Sequence, residues 1–204
     1  MDWGGSEEST RLEVVNIYRP ARVVAVVCCF IVTLMMIVSI CPNDWVHTRE
    51  TASSANVQRE GLFRICSFWY NGERTEKIDC INQDKSYMKG VAALIIIGWI
   101  LMLAAASLLL YAMLSHLDEL KLILYKVALM LAAITGVLLL IALITFPVMV
   151  SQALQNTVTQ SDWSVGWAYM LGWASLLVIA LVVILLSFDR APDETLVREK
   201  VMRS

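Results

Sequence analysis

Four runs of residues that contain no Asp, Glu, Lys, Arg or His constrain this chain more than any other feature: Val23–Cys41, Val91–Leu114, Val127–Val150 and Gly166–Phe188. A bilayer hydrocarbon core of about 30 Å needs roughly 20 mostly apolar residues in helix, and each run supplies that length. Core helices of soluble proteins usually keep a polar face, and these runs keep none. In the second run, twelve Leu, Ile or Val residues at about −0.3 to −0.6 kcal/mol each favour insertion by roughly 4 to 7 kcal/mol. The first run carries small residues, Ser39 and Cys41, at the spacing of a signal cleavage site. Its apolar core exceeds the roughly 7 to 15 residues of such a signal, so it is expected to stay as a helix. With 58% apolar residues in 204 and a mean hydropathy of +0.66, the chain reads as an integral membrane protein.

The same runs exclude several functions. Ionisable groups inside a membrane mark proton paths, voltage sensors and substrate routes, and their absence argues against a transporter or pump. Sixteen basic against eighteen acidic residues, with no basic block, offer nothing to nucleic acid. His47 and His116 stand far apart without companions at metal-ligand spacing, so no metal site is expected. Outside the spans there is no nucleophile beside a base and no phosphate-cradling glycine loop. The expectation is a protein that is not an enzyme, with no catalytic residue, no cofactor and no small-molecule substrate. What the spans do carry is small residues at fourfold spacing, Ala128, Ala132 and Gly136 in the third and Ala168 and Gly172 in the fourth. Such faces let helix backbones approach closely, within one bundle or between copies in a lateral oligomer.

The spans divide the chain into an amino-terminal segment 1–22, a first extracellular loop 42–90, a second extracellular loop 151–165 and a tail 189–204. Ser115–Lys126 reads as a short cytoplasmic connection. An even number of spans puts both termini on one side, and Arg19, Arg22 and Arg190 beside the spans favour the cytoplasm. Seven basic residues in the first loop weaken that argument. Cysteine usage strengthens it: Cys66 and Cys80 lie together in this loop, and disulfides persist on the oxidising side. Cys28 and Cys29 fall within the first span. Cys41, at its outer end, keeps a claim on either loop cysteine, so the count alone does not force a pairing.

Within the first loop, "WVHT" (Trp45–Thr48), "LFRICSFWY" (Leu62–Tyr70) and "EKIDCI" (Glu76–Ile81) read as strands, with a turn at Asn71-Gly72. A two-residue turn there would set Tyr70 opposite Glu73 and Cys66 opposite Lys77. Direct opposition of Cys66 and Cys80 instead needs a pairing centred on Glu73, with a loop of three or five residues. A small extracellular sheet has little core of its own. A staple of about 2 to 4 kcal/mol is therefore expected to prevail over ideal turn geometry.

Trp45, then Gly61-Leu62-Phe63 with Cys66, then Cys80, in the first outer loop of a four-span chain, resembles the signature of the claudin, peripheral myelin protein and epithelial membrane protein superfamily. "GWAYMLGWA" (Gly166–Ala174) is similar to the opening of that family's last helix, and Pro147-Val148 to a recurrent pair near the outer end of its third. The resemblance implies a fold that is mainly α, a membrane bundle of four helices carrying a small extracellular antiparallel β-sheet. Four strands would come from the first loop and one from the second, anchored by Trp45, the Gly-Leu-Phe segment and a Cys66–Cys80 disulfide. Gly61 would permit a bend or a close backbone approach. Phe63 stands where the family has a second Trp, keeping an apolar anchor without its indole N–H. Thirteen residues separate the two cysteines, longer than in typical claudins, and the tail ends "VMRS", without an apolar last residue for a PDZ scaffold.

The function this implies is organisation of cell–cell junctions or adhesion at the plasma membrane. Its partners would be the lipid bilayer, lateral copies of itself and other junctional membrane proteins. An auxiliary subunit of a channel or receptor is the alternative, and a paracellular ion barrier or pore component a third. Candidate contacts are the hairpin tip Asn71–Thr75 and the segment Ala153–Trp163. Trp163 and Trp167 read as interfacial anchors.

Overall fold

The computed structural model describes residues 11–15, 20–50, 56–70, 75–115, 118–155, 161–188 and 196–200. Four of the described helices are long and apolar enough to cross a membrane. They are α1 (Pro20–Ile40), α2 (Ser86–Leu114), α3 (Asp118–Gln155) and α4 (Trp167–Phe188). Helix α1 packs against α2 and α4, and α3 against the same two, which closes a ring of four. The core holds Met36, Met102, Leu109, Leu139 and Phe146, while Leu34, Met130 and Leu177 face outward. In lipid, outward apolar residues are at home, so burial inside the ring is a matter of close packing.

The small residues occupy that interior. Ala128, Ala132 and Ala168 are fully buried. A Cβ on Gly136 would stand 3.3 Å from Cγ2 of Ile179 on α4, and one on Gly172 would stand 3.0 Å from Cδ2 of Leu143 on α3. The α3–α4 contact is thus set by glycine on each side. Thr135 adds a polar link from α3 to α2, its single hydroxyl proton shared between the Leu131 carbonyl of its own helix at 2.9 Å and the Gly98 carbonyl at 3.3 Å.

Helix α3 departs from the expected plan. Its 38 residues span about 57 Å at 1.5 Å each, well beyond a bilayer core, and it starts at Asp118. The stretch Ser115–Lys126, expected as a connection, is helix from Asp118 onward. Leu, Lys and Glu there are good helix formers, and two acidic residues open the run at the positive end of the helix dipole.

Between α1 and α2 lie β2 (Val46–Glu50), β3 (Asn56–Glu60), β4 (Arg64–Tyr70) and β5 (Thr75–Asn82). A fifth strand, β6 (Ser161–Val165), precedes α4. They form one antiparallel sheet in the order β5-β4-β3-β2-β6, the four-plus-one arrangement that the resemblance implies. The β4–β5 register resolves the competition between turn and staple. Tyr70 opposes Thr75 and Phe68 opposes Lys77, but a register shift between Ser67 and Phe68 brings Ser67 opposite Asp79 and Cys66 opposite Cys80. Neither a two-residue turn nor an odd loop is used. A bulge inside the ladder absorbs the extra residue, which a strand tolerates at the cost of a local kink. The turn residues 71–74 themselves lie outside the described residues.

A second, two-stranded sheet pairs β1 (Arg11–Val15) with β7 (Leu196–Lys200), Val14 opposite Val197. Nothing in either segment's composition led to that expectation. Arg19, Arg190, His116 and the end of the tail lie outside the described residues.

Candidate functional site

Trp45 is fully buried where the sheet meets the bundle, and each of its polar groups is committed to a different element. Its backbone N–H donates to the Glu60 carbonyl at 3.0 Å, at the end of β3. Its carbonyl accepts from the Gly166 N–H at 2.9 Å, between β6 and α4. Its indole Nε1 donates to the Ser39 carbonyl at 2.7 Å. That carbonyl lies in the last turn of α1, where no helical N–H remains to serve it. The indole is therefore a cap, and a ring without an N–H could not replace it.

The ring packs edge-on against Phe146 of α3 at 5.1 Å and Tyr169 of α4 at 5.9 Å, and those two stack at 5.4 Å. Pro147 explains the tyrosine. A proline inside a helix has no N–H for the carbonyl four residues back, here Leu143. The Tyr169 hydroxyl donates to that carbonyl at 3.1 Å, so the break in α3 is repaired from α4. Ser39 adds a bond of its own, donating to the Ala168 carbonyl at 2.8 Å.

Two glycines let the backbones meet here. A Cβ on Gly166 would fall 1.8 Å from the Asp44 carbonyl oxygen, and one on Gly61 would fall 2.6 Å from the Asn43 Cα. Gly61 opens a tight connection between β3 and β4, its N–H donating to the Arg64 carbonyl at 2.8 Å. Within that connection Leu62 is buried, whereas Phe63 is 47% exposed. Phe63, which replaces the family's second Trp, faces outward with its apolar ring, and its backbone carbonyl receives the Gln83 N–H at 2.8 Å. The Gln83 side chain, buried, reaches the Gly61 carbonyl at 3.4 Å.

The charges around the joint are paired. Buried Glu60 receives the Lys85 ammonium on both oxygens, at 2.7 and 2.8 Å. Asp44, also buried, lies 3.2 Å from His47 Nε2 and 3.4 Å from Arg59. Sequence reasoning missed both carboxylates; Glu60 stands beside Gly61, and that adjacency was the only signal. The Cys66–Cys80 disulfide ties β4 to β5 two rows above the Arg64–Asn82 pair at the base. Cys28, Cys29 and Cys41 are free. Trp163 and Trp167, at 37% and 52% exposure, flank the joint on β6 and α4. No group of His, Cys, Asp or Glu among the described residues is arranged to hold a metal ion.

The architecture is that of a four-span membrane protein bearing a disulfide-stapled extracellular sheet, locked to its helices by one tryptophan. The model of the PMP-22/EMP/MP20/Claudin family matches residues 22–186, and the chain belongs to that family. Its members are membrane proteins without enzymatic activity, and this chain is one of them. A search of curated proteins finds no match to it.

Proposed function

We propose that this protein organises cell–cell contacts in the plasma membrane, with its five-stranded sheet as the adhesive platform and both termini in the cytoplasm. The observation that carries the proposal is the joint at Trp45. It bonds to β3, to α1 and to the β6–α4 junction at once, so the sheet holds a set orientation relative to the spans. A platform of fixed orientation loses little freedom on binding. Pairing of β1 with β7 supports a common side for the termini. The disulfide supports the opposite, oxidising side for the sheet. Its partners are a second copy alongside, other junctional membrane proteins and the apposed surface, met by the tip Asn71–Thr75 and the segment Ala153–Trp163. Residues 71–74 and 156–160 of those contacts lie outside the described residues.

The test mixes tagged expressing cells with non-expressing ones and compares the intact protein, Trp45→Ala and a chain truncated after Arg190. Enrichment where two expressing cells touch, lost in Trp45→Ala at equal surface level and kept on truncation, is the expected result. Even distribution over the surface with a co-purifying channel would favour the auxiliary-subunit reading instead.

A further inference from the structure

Strands β2, β3 and β6 border a cavity of about 290 Å³ lined by His47, Thr48, Arg49, Val57, Trp163 and Ser164. Alternation along the paired strands sets His47, Arg49, Val57 and Ser164 on the face that also carries Cys66 and Cys80. We propose that this cavity binds the carboxylate-bearing sugar at the end of an acidic glycan, with the Arg49 guanidinium as the partner of the carboxylate.

The assignment rests first on charge. Of the basic groups on this part of the face, Arg59 and His47 are already engaged by the Asp44 carboxylate. Arg59 also lies over the Phe68 ring, 5.2 Å from its centre. The Arg49 side chain is exposed and has no ion-pair or hydrogen-bond partner among the described residues, while its backbone pairs with Val57 and Asp162 in the sheet. Its planar donor fork suits a carboxylate. The second argument is polarity. On the same face Ser164 brings an exposed hydroxyl. Val57 supplies an apolar patch beside it, the mixture that the two faces of a sugar ring require.

Size and backbone decide against a peptide. The volume lies at the lower limit, about 300 Å³, of small-molecule sites, enough for one sugar unit. Strand β2 is paired on both sides, with β3 and with β6, so it offers no edge to which an extended chain could add. Recognition there falls to side chains alone. The inference does not depend on adhesion, and it can be tested without cells.

The experiment uses the full chain purified into nanodiscs, with sialyllactose as probe, lactose as neutral control and a polyglutamate peptide as competitor, read by saturation-transfer NMR and titration. Sialyllactose binding without lactose binding is expected. Arg49→Gln should weaken it roughly tenfold or more, the loss of one hydrogen-bonded charge, and Arg49→Lys should retain part of it. Thermal unfolding and an intact Cys66–Cys80 linkage in each variant establish that the sheet is folded. Equal binding of lactose, or undiminished binding by folded Arg49→Gln, overturns the proposal. So does polyglutamate binding that depends on Arg49 when sialyllactose does not bind.

Discussion

The repair of α3 from α4 can be tested by removing a single oxygen. Tyr169→Phe keeps the ring that stacks on Phe146 at 5.4 Å and meets Trp45 at 5.9 Å, and deletes only the hydroxyl that donates to the Leu143 carbonyl. Tyr169 is 7% exposed, so water is poorly placed to take over. A buried carbonyl left without a donor costs about 1 to 3 kcal/mol, and side-chain hydrogen bonds measured within membranes fall at or below the lower end of that range. About 1 kcal/mol is therefore expected, or roughly 2 to 4 °C in the unfolding midpoint of a chain this long. The decisive variant is Pro147→Ala, which returns an N–H to the position four residues after Leu143. In that background the carbonyl has a donor in its own helix, and Tyr169→Phe should cost little. The four proteins form a double-mutant cycle with a coupling of about 1 kcal/mol, measured by thermal or SDS-induced unfolding in detergent. Additive effects would refute the reasoning, because they would mean that the hydroxyl does not stand in for the missing amide.

Three further outcomes follow from the same geometry. Alanine at Gly166 or Gly61 should destabilise the sheet by about 1 to 3 kcal/mol or prevent surface delivery, since each added methyl meets backbone, whereas Gly90→Ala meets nothing within 4 Å and should stabilise α2 by about 0.5 to 1 kcal/mol; thermal unfolding ranks the three. Cys66→Ser should cost about 2 to 5 kcal/mol by opening the link to Cys80, 14 residues away, read as lost surface delivery and as the absent linkage in unreduced peptide maps. Val14→Cys combined with Val197→Cys should cross-link within one chain when membranes are oxidised, because the two positions are directly opposed in β1 and β7; a Val14→Cys, Leu196→Cys pair, out of register, should cross-link less.

The spans could be read from the sequence because lipid leaves a signal that depends on no tertiary contact: long stretches without charge. The sheet was harder to read in proportion to how much of it depends on neighbours. Strand β4 holds Ile65, Phe68, Trp69 and Tyr70 and announces itself, but β3 is Asn-Val-Gln-Arg-Glu, with one apolar residue and no alternation. It is a strand because β2 and β4 on either side take its backbone groups. The bulge at Ser67/Phe68 was invisible for a related reason. Local turn preference favoured one register and the disulfide another, and only the assembled ladder shows where the odd residue goes. Phe63 and Leu62 are equivalent by composition; the Gly61 turn decides that Leu62 points inward. The pairing of β1 with β7 joins segments from opposite ends of the chain, which no local pattern can report.

What the joint does for function follows from how its bonds are distributed. The sheet's edge strands, β5 and β6, lie at opposite sides, while Trp45 sits at the start of the fourth strand in the order, beside β6. From there it binds to α1 and packs edge-on against α3 and α4, three of the four helices. Toward β5 the tie is different in kind. Lys85, just before α2, holds Glu60 by an ion pair, and Gln83 holds the Gly61 turn. One side of the sheet is therefore fixed by aromatic packing and the other by polar contacts on the segment leading into α2. Both ties oppose tilting of the sheet on the bundle. For contacts made through small surfaces this matters more than the strength of any one contact. Many weak copies add only when each presents the same face at the same angle, since effective concentration falls away once geometry forbids simultaneous engagement. If the proposed adhesive function holds, Lys85→Ala, which removes the ion pair to Glu60 at the end of β3 and keeps the Trp45 ring contacts, should weaken adhesion between cells far more than it lowers the amount of protein at the surface.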